Sequence, residues 1–169
     1  MAARTGEQYL QGLRDNAAEV YLEGERVLDV TNHPHLKGGI ASVGRLLDMQ
    51  HESSLIDEMT YVSPTSGERV GLSHIMPKTP RDLERRRVMM THWARASCAM
   101  MGRTPDFLNT AIMSMAAASE YCGQNRPEFK NNIERYYEHV RENDLVLTHT
   151  LVNLQRSRTP GTTPLEDRT

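Results

Sequence analysis

A chain of 169 residues, 38% hydrophobic and 25% charged, is long enough to bury one core without a metal or disulfide; a domain of this size hides about 70% of its unfolded surface. Its formal net charge of -2 sets up no chain-wide basic field for nucleic acid or an anionic membrane, and no run approaches the ~20 apolar residues of a membrane span. With two cysteines and no apolar signal core in residues 1–7, the chain reads as a soluble cytoplasmic domain.

Thr5 and Gln8 form a capping-box pattern, and Tyr9, Leu10 and Leu13 predict a short amphipathic helix behind it. From residue 19 to 30 the period changes. Val20, Leu22, Val27 and Val30 flank Gly24-Glu25 and predict a small β-hairpin. Thr31-Asn32-His33-Pro34 is a turn that launches a helix near residue 35, running to about Gln50 on Ile40, Val43, Leu46 and Leu47. Between residues 52 and 77 the pattern predicts a short helix at 55–59, then a second hairpin pairing 61–62 with 69–75 around Thr65-Ser66-Gly67.

Thr79-Pro80-Arg81-Asp82 supplies an N-cap, a first-turn proline and an acid, so a helix follows, expected to reach Met101 with Trp93 near its middle. Its Arg81, Arg85, Arg86 and Arg87 read as a solvated face. The helix meets Gly102-Arg103-Thr104-Pro105-Asp106-Phe107, where glycine permits a left-handed cap and threonine-proline starts the next helix. Arg103 is left in the gap. One reading is an ordinary helix connection with a solvated arginine; the other is a five-donor fork fixed in space for an anionic or phenolic oxygen.

Phe107, Leu108, Ala111, Ile112, Met115, Ala118 and Cys122 keep helical spacing until Gly123. Cys98 and Cys122 then lie about 6 Å and about 25 Å from the turn along antiparallel helices, too far apart to bridge. Both read as buried small hydrophobes. Met89, Met90, Met100, Met101, Met113 and Met115 flank the turn as core or as an adaptable pocket surface.

A further helix spans 127 to about 142 on Phe129, Ile133, Tyr136, Tyr137 and Val140. Residues 143–153 lose the period and concentrate β-branched side chains, which predicts a buried extended segment with His149 at its centre. That histidine is either a satisfied core group or an acid, base or hydrogen-bond partner for a phenol or carbonyl. From residue 155 onward there is almost no apolar content, as in loop or disorder.

No phosphate-binding glycine loop, nucleophile elbow or paired-cysteine motif is present. His33-Pro34-His35 is the only close histidine pair and reads as a structural turn. A helix-turn-helix nucleic-acid binder over residues 80–122 is opposed by the overall charge.

Six segments in order resemble one family. They are Arg4-Thr5-Gly6-Glu7-Gln8-Tyr9-Leu10; Gly24-Glu25-Arg26-Val27 with Asp29-Val30-Thr31; His33-Pro34; Trp93-Ala94-Arg95; the Gly102 to Phe107 turn; and Asn143-Asp144-Leu145 through Thr148-His149-Thr150-Leu151-Val152-Asn153. Colinear from Arg4 to about Arg158, they resemble the 4-hydroxyphenylacetate 3-monooxygenase family, the oxygenase components of two-component flavin-dependent aromatic hydroxylases. The resemblance implies a mainly α fold with small β-hairpins, the N-terminal helical domain of an acyl-CoA-dehydrogenase-like fold. It places that domain at residues 1–153, with 154–169 a loop or disordered tail leading to an absent β domain.

The same resemblance implies an enzyme that ortho-hydroxylates a phenol with O2 and FAD, the flavin reduced by a partner flavin reductase. The substrate would be 4-hydroxyphenylacetate-like or tyrosine-derived, free or carrier-tethered, and the full-length protein a homo-oligomer. Arg103 and His149 would hold and polarise the phenolic oxygen, Thr104 and Phe107 would line the substrate pocket, and Gln155-Arg156-Ser157-Arg158 would contact flavin. Phe107 stands where the family often has tyrosine, and Leu154 where many members have proline. On this view the chain alone is incomplete and weakly active or inactive; the alternative is a truncated or split, non-catalytic module docking on a partner chain.

Overall fold

A computed structural model describes residues 2–100 and 104–149. Helix α1 (Gly6–Asp15) starts at the expected capping box, with the Gln8 amide donating to Thr5 Oγ1 at 3.1 Å and the Thr5 amide to Gln8 Oε1 at 2.9 Å. Strands β1 (Val20–Leu22) and β2 (Glu25–Val27) pair antiparallel, joined by Glu23 and Gly24 at φ 54° and 87°. Two left-handed residues in a two-residue loop match the right-handed twist of the strands, and glycine takes one of them without a Cβ penalty.

Helix α2 (Lys37–Asp48) runs into a 3-10 turn at Met49–His51 and crosses α1 closely. A Cβ on Gly6 would stand 2.6 Å from the Gly44 carbonyl oxygen, and the Gly6 amide donates to Asp48 Oδ1 at 2.7 Å. The short α3 (Ile56–Met59) leads into β3 (Thr60–Val62), which pairs antiparallel with β4 (Arg69–Gly71).

The second strand of that hairpin is shorter than its β-like sequence suggests. At Gly71 the chain turns inward into a 3-10 turn, Leu72–His74, all three residues being buried. A Cβ on Gly71 would lie 2.4 Å from Gln50 Oε1 and 3.2 Å from Asp144 Oδ1. The carbonyls beyond the strand bond to side chains: Arg86 Nη1 donates to Ser73 O and Ile75 O, and Tyr137 Oη to His74 O.

Helix α4 (Pro80–Ala96) begins on the Thr79–Asp82 capping box. It ends before Met101. Ser97 caps it, Cys98 and Ala99 take φ 52° and 63°, and the Ala99 amide donates to Ala94 O at 2.7 Å. That is the six-to-one bond of a Schellman ending, built without glycine. Gly102, the expected cap, lies outside the described residues. Cys98 is exposed and Cys122 half-buried rather than packed in the core.

Helix α5 (Asp106–Ala117) follows, with Pro105 already at φ -57° and its carbonyl accepting from the Asn109 amide. The expected single helix to Gly123 breaks at Ala118, where φ is -100° and ψ 19°, and α6 (Ser119–Gly123) packs against α7 (Pro127–Glu142). Ser119 Oγ donates across that pair to Glu134 Oε1 at 2.7 Å.

Leu46, Met59, Leu72, Ile75, Met89 and Trp93 form the main core, with Trp93 Nε1 donating to Leu46 O at 3.0 Å. A second cluster joins Met113 and Ala116 to Tyr137. Met100 and Met115 are exposed, and Met101 lies outside the described residues. Among the described residues no helix is long and apolar enough to cross a membrane.

Candidate functional site

After α7 the described residues, through His149, form neither a strand nor a buried segment; residues 150–153 of the expected segment lie outside them. Asp144 takes φ 45° and is buried; Leu145, Val146 and Leu147 are half-buried; Thr148 and His149 are exposed. This run faces the start of α5 across a cleft of about 340 Å³. Thr104, Pro105, Phe107 and Leu108 line one wall, Val146 to His149 the other, and Tyr9 of α1 with Val43 of α2 complete it.

Three of the residues singled out in the sequence thus meet around one space: Thr104, buried; Phe107, 54% exposed; and His149, exposed rather than buried. Arg103 immediately precedes Thr104 but lies outside the described residues, as do Gln155, Arg156, Ser157 and Arg158 and the whole segment 154–169. A wider, mostly apolar cavity of about 640 Å³ adjoins the cleft and shares Val43 and Thr104 with it.

Two buried polar clusters hold these walls, and sequence reasoning missed both. Arg86 of α4 reaches the base of α5, where Nη2 contacts Asp106 Oδ1 at 2.9 Å and Thr110 Oγ1 at 2.6 Å. Burial pushes the Asp106 carboxyl above its ordinary proton affinity, although Arg86 and Thr110 pull the other way. Arg86 is therefore no part of a solvated arginine face. The signal was its spacing: it stands three residues before Met89 and seven before Trp93, on the stripe that faces the core.

On the other wall, Asp144 Oδ2 accepts from the Arg4 amide at 3.0 Å and Gln50 Nε2 at 2.8 Å, while Oδ1 lies 3.2 Å from His74 Nε2. Arg4 Nε donates to the Asp144 carbonyl at 2.8 Å, and its guanidinium stacks over Tyr9 at 5.8 Å. Burial alone would raise the Asp144 pKa; the bonds and charge from His74, with Gln50 and the Arg4 amide, outweigh it and hold the carboxyl below its usual range. The Asn143-Asp144-Leu145 motif marked this residue, but not its buried partners.

Among the described residues no group of three His, Cys, Asp or Glu side chains converges as a metal site. The His33 and His35 rings stand 5.7 Å apart, and the His35 amide donates to His33 Nδ1 at 3.3 Å within the turn.

A family described as 4-hydroxyphenylacetate 3-hydroxylase N terminal matches residues 5–169. The chain is 42% identical over 158 residues to a 4-hydroxyphenylacetate 3-monooxygenase oxygenase component from Geobacillus sp. (strain PA-9), covering 94% of this chain and 32% of that protein. It is 33% identical over 152 residues to a Streptomyces globisporus monooxygenase named for a 3-amino-3-(3-chloro-4-hydroxyphenyl)propanoyl group on a peptidyl-carrier protein, covering 88% of this chain and 27% of that one. The crystal structure of a 4-hydroxyphenylacetate 3-monooxygenase oxygenase component complexed with FAD and 4-hydroxyphenylacetate superposes with a TM-score of 0.86 at 36% identity, over 99% of this chain and 33% of that one. The chain thus spans about a third of the length of these relatives. With sequence and fold in agreement, the chain belongs to the 4-hydroxyphenylacetate 3-hydroxylase N-terminal family, and its fold is the N-terminal helical part of an acyl-CoA-dehydrogenase-like fold.

Proposed function

We propose that this chain supplies the phenol-binding wall of a reduced-flavin-dependent monooxygenase that hydroxylates a phenol beside its hydroxyl. The observation that carries the reading is the cleft of about 340 Å³ lined by Thr104, Phe107 and His149, in a chain of this family. Arg103 and His149 are the groups that hold the phenolic oxygen. A guanidinium and an imidazole N–H both favour the phenolate, and a phenolate pushes electron density onto the adjacent ring carbon. Phe107 offers an aromatic face to the substrate ring and no hydrogen bond.

FAD, reduced by a separate reductase and held partly by Gln155-Arg156-Ser157-Arg158, supplies the activated oxygen when bound. The substrate class is 4-hydroxyphenylacetate-like or tyrosine-derived, free or carrier-tethered, and the assembled protein is a cytoplasmic homo-oligomer. A second reading, a non-catalytic docking module, is favoured by Met100, Met115 and Tyr121, which are 58%, 51% and 75% exposed.

The test places this chain in the Geobacillus relative in exchange for the matching N-terminal third, and supplies a flavin reductase, FAD, NADH and a panel of phenols. The expected product is a catechol, with Arg103→Ala and His149→Ala each lowering kcat/KM by about 100-fold or more. Catechol formation unaffected by either substitution would refute the assigned roles. A folded, flavin-loaded chimera that makes no catechol from any phenol supports the docking module instead.

A further inference from the structure

The buried Leu72–His74 turn is tied to both walls of the cleft. On one side His74 Nε2 meets Asp144 Oδ1 at 3.2 Å, and a carboxylate only accepts, so the ring proton sits on Nε2. Asp144 is the residue from which the run to His149 departs, and its carbonyl anchors the Arg4 side chain that covers Tyr9. On the other side Asn109 Nδ2 donates to Oγ of the adjacent Ser73 at 2.7 Å. Asn109 is on α5, two residues after Phe107. The turn's own backbone is pinned from α4 and α7 by Arg86 and Tyr137.

His74 is 1% exposed and does not line the cleft. We infer that His74 is a positioning residue: its Nε2–H holds Asp144 while the neighbouring Ser73 is held by Asn109 of α5, so the turn sets the separation of the wall carrying His149 from the wall carrying Phe107. Its consequence for substrate rests on the phenol reading above. The Asp144 side chain and carbonyl take four bonds from three residues, Arg4, Gln50 and His74, and of these His74 is the one whose chain neighbour, Ser73, is bonded to α5.

The test uses the isotopically labelled chain of 169 residues. Nuclear Overhauser contacts between the His149 segment and Phe107 or Leu108 report the wall separation; titration with 4-hydroxyphenylacetate, read at the His149 ring, reports binding. His74→Leu is expected to remove those contacts and weaken the response about tenfold or more, since displacement of about 1 Å costs up to about 100-fold in well-oriented sites. His74→Gln, whose amide N–H replaces the ring Nε2–H, is expected to restore both.

A folded His74→Leu protein with unchanged contacts overturns the inference. Where His74→Leu does not fold, Asp144→Asn decides, because its amide oxygen can keep the bonds from Arg4 and Gln50 while its NH2 cannot accept from the His74 Nε2–H; contacts unchanged in that variant overturn the inference equally. The comparison of contacts decides the role of His74 whether or not the lone chain responds to 4-hydroxyphenylacetate; the phenol reading itself fails if the chimera makes no catechol.

Discussion

Asp144 combines a left-handed φ of 45° with near-complete burial, two costs that only a well-partnered side chain offsets. Its carboxylate meets them with bonds from Arg4, Gln50 and His74. Because the folded pKa lies below the unfolded one, folding stability from this group is fully present above the unfolded value, about 4, and is lost as pH falls through the folded value. Urea unfolding between pH 7 and pH 3 is expected to show a steep loss of stability in the wild type and a shallower one in Asp144→Asn. Equal slopes would show that other carboxylates carry the acid sensitivity.

Residue identity at Asp144 and His149 was legible in the sequence; their surroundings were not. The apolar run around His149 reads as buried because its Leu and Val content is what core strands use, yet the left-handed turn at Asp144 directs the run along the cleft rim. Arg86 hid inside an arginine cluster because its partner Asp106 stands 20 residues away, and a solvated face is the usual fate of such a cluster.

At the scale of elements, the local signals were strong wherever chemistry within four residues decides the geometry. The capping boxes at Thr5 and Thr79, the Gly24 hairpin and the proline starts of α4 and α7 all follow from side-chain reach and backbone sterics. The end of α4 did not, because Cys98 and Ala99 carry no preference for the left-handed region they occupy. The α1–α2 crossing matters most for the cleft, since it brings Tyr9 and Val43 together. Its closeness depends on glycine. Gly6→Ala forces a methyl to within 2.6 Å of Gly44 O, so a loss of about 1–3 kcal/mol is expected in urea unfolding, while Gly12→Ala on the same helix, with only the tip of Arg4 within reach at 3.9 Å, is expected to be neutral or slightly stabilising. Equal costs at the two positions would contradict the close-crossing account.

For the whole molecule, the helices form a scaffold that carries a cleft open to solvent rather than an enclosed cavity. Phe107 and His149 are open to solvent on the same side, and α5 and α6 leave Met115 and Tyr121 exposed. The chain spans about a third of its relatives' length, and on the proposed function this face is where flavin and substrate would meet it. The most direct measurement is a crystal structure of the Geobacillus chimera bearing this chain, grown with FAD and 4-hydroxyphenylacetate. The account predicts the phenolic oxygen within hydrogen-bond distance of Arg103 and His149, with the ring against Phe107. A phenol bound elsewhere, or one in the cleft with both side chains turned away from its oxygen, would contradict it.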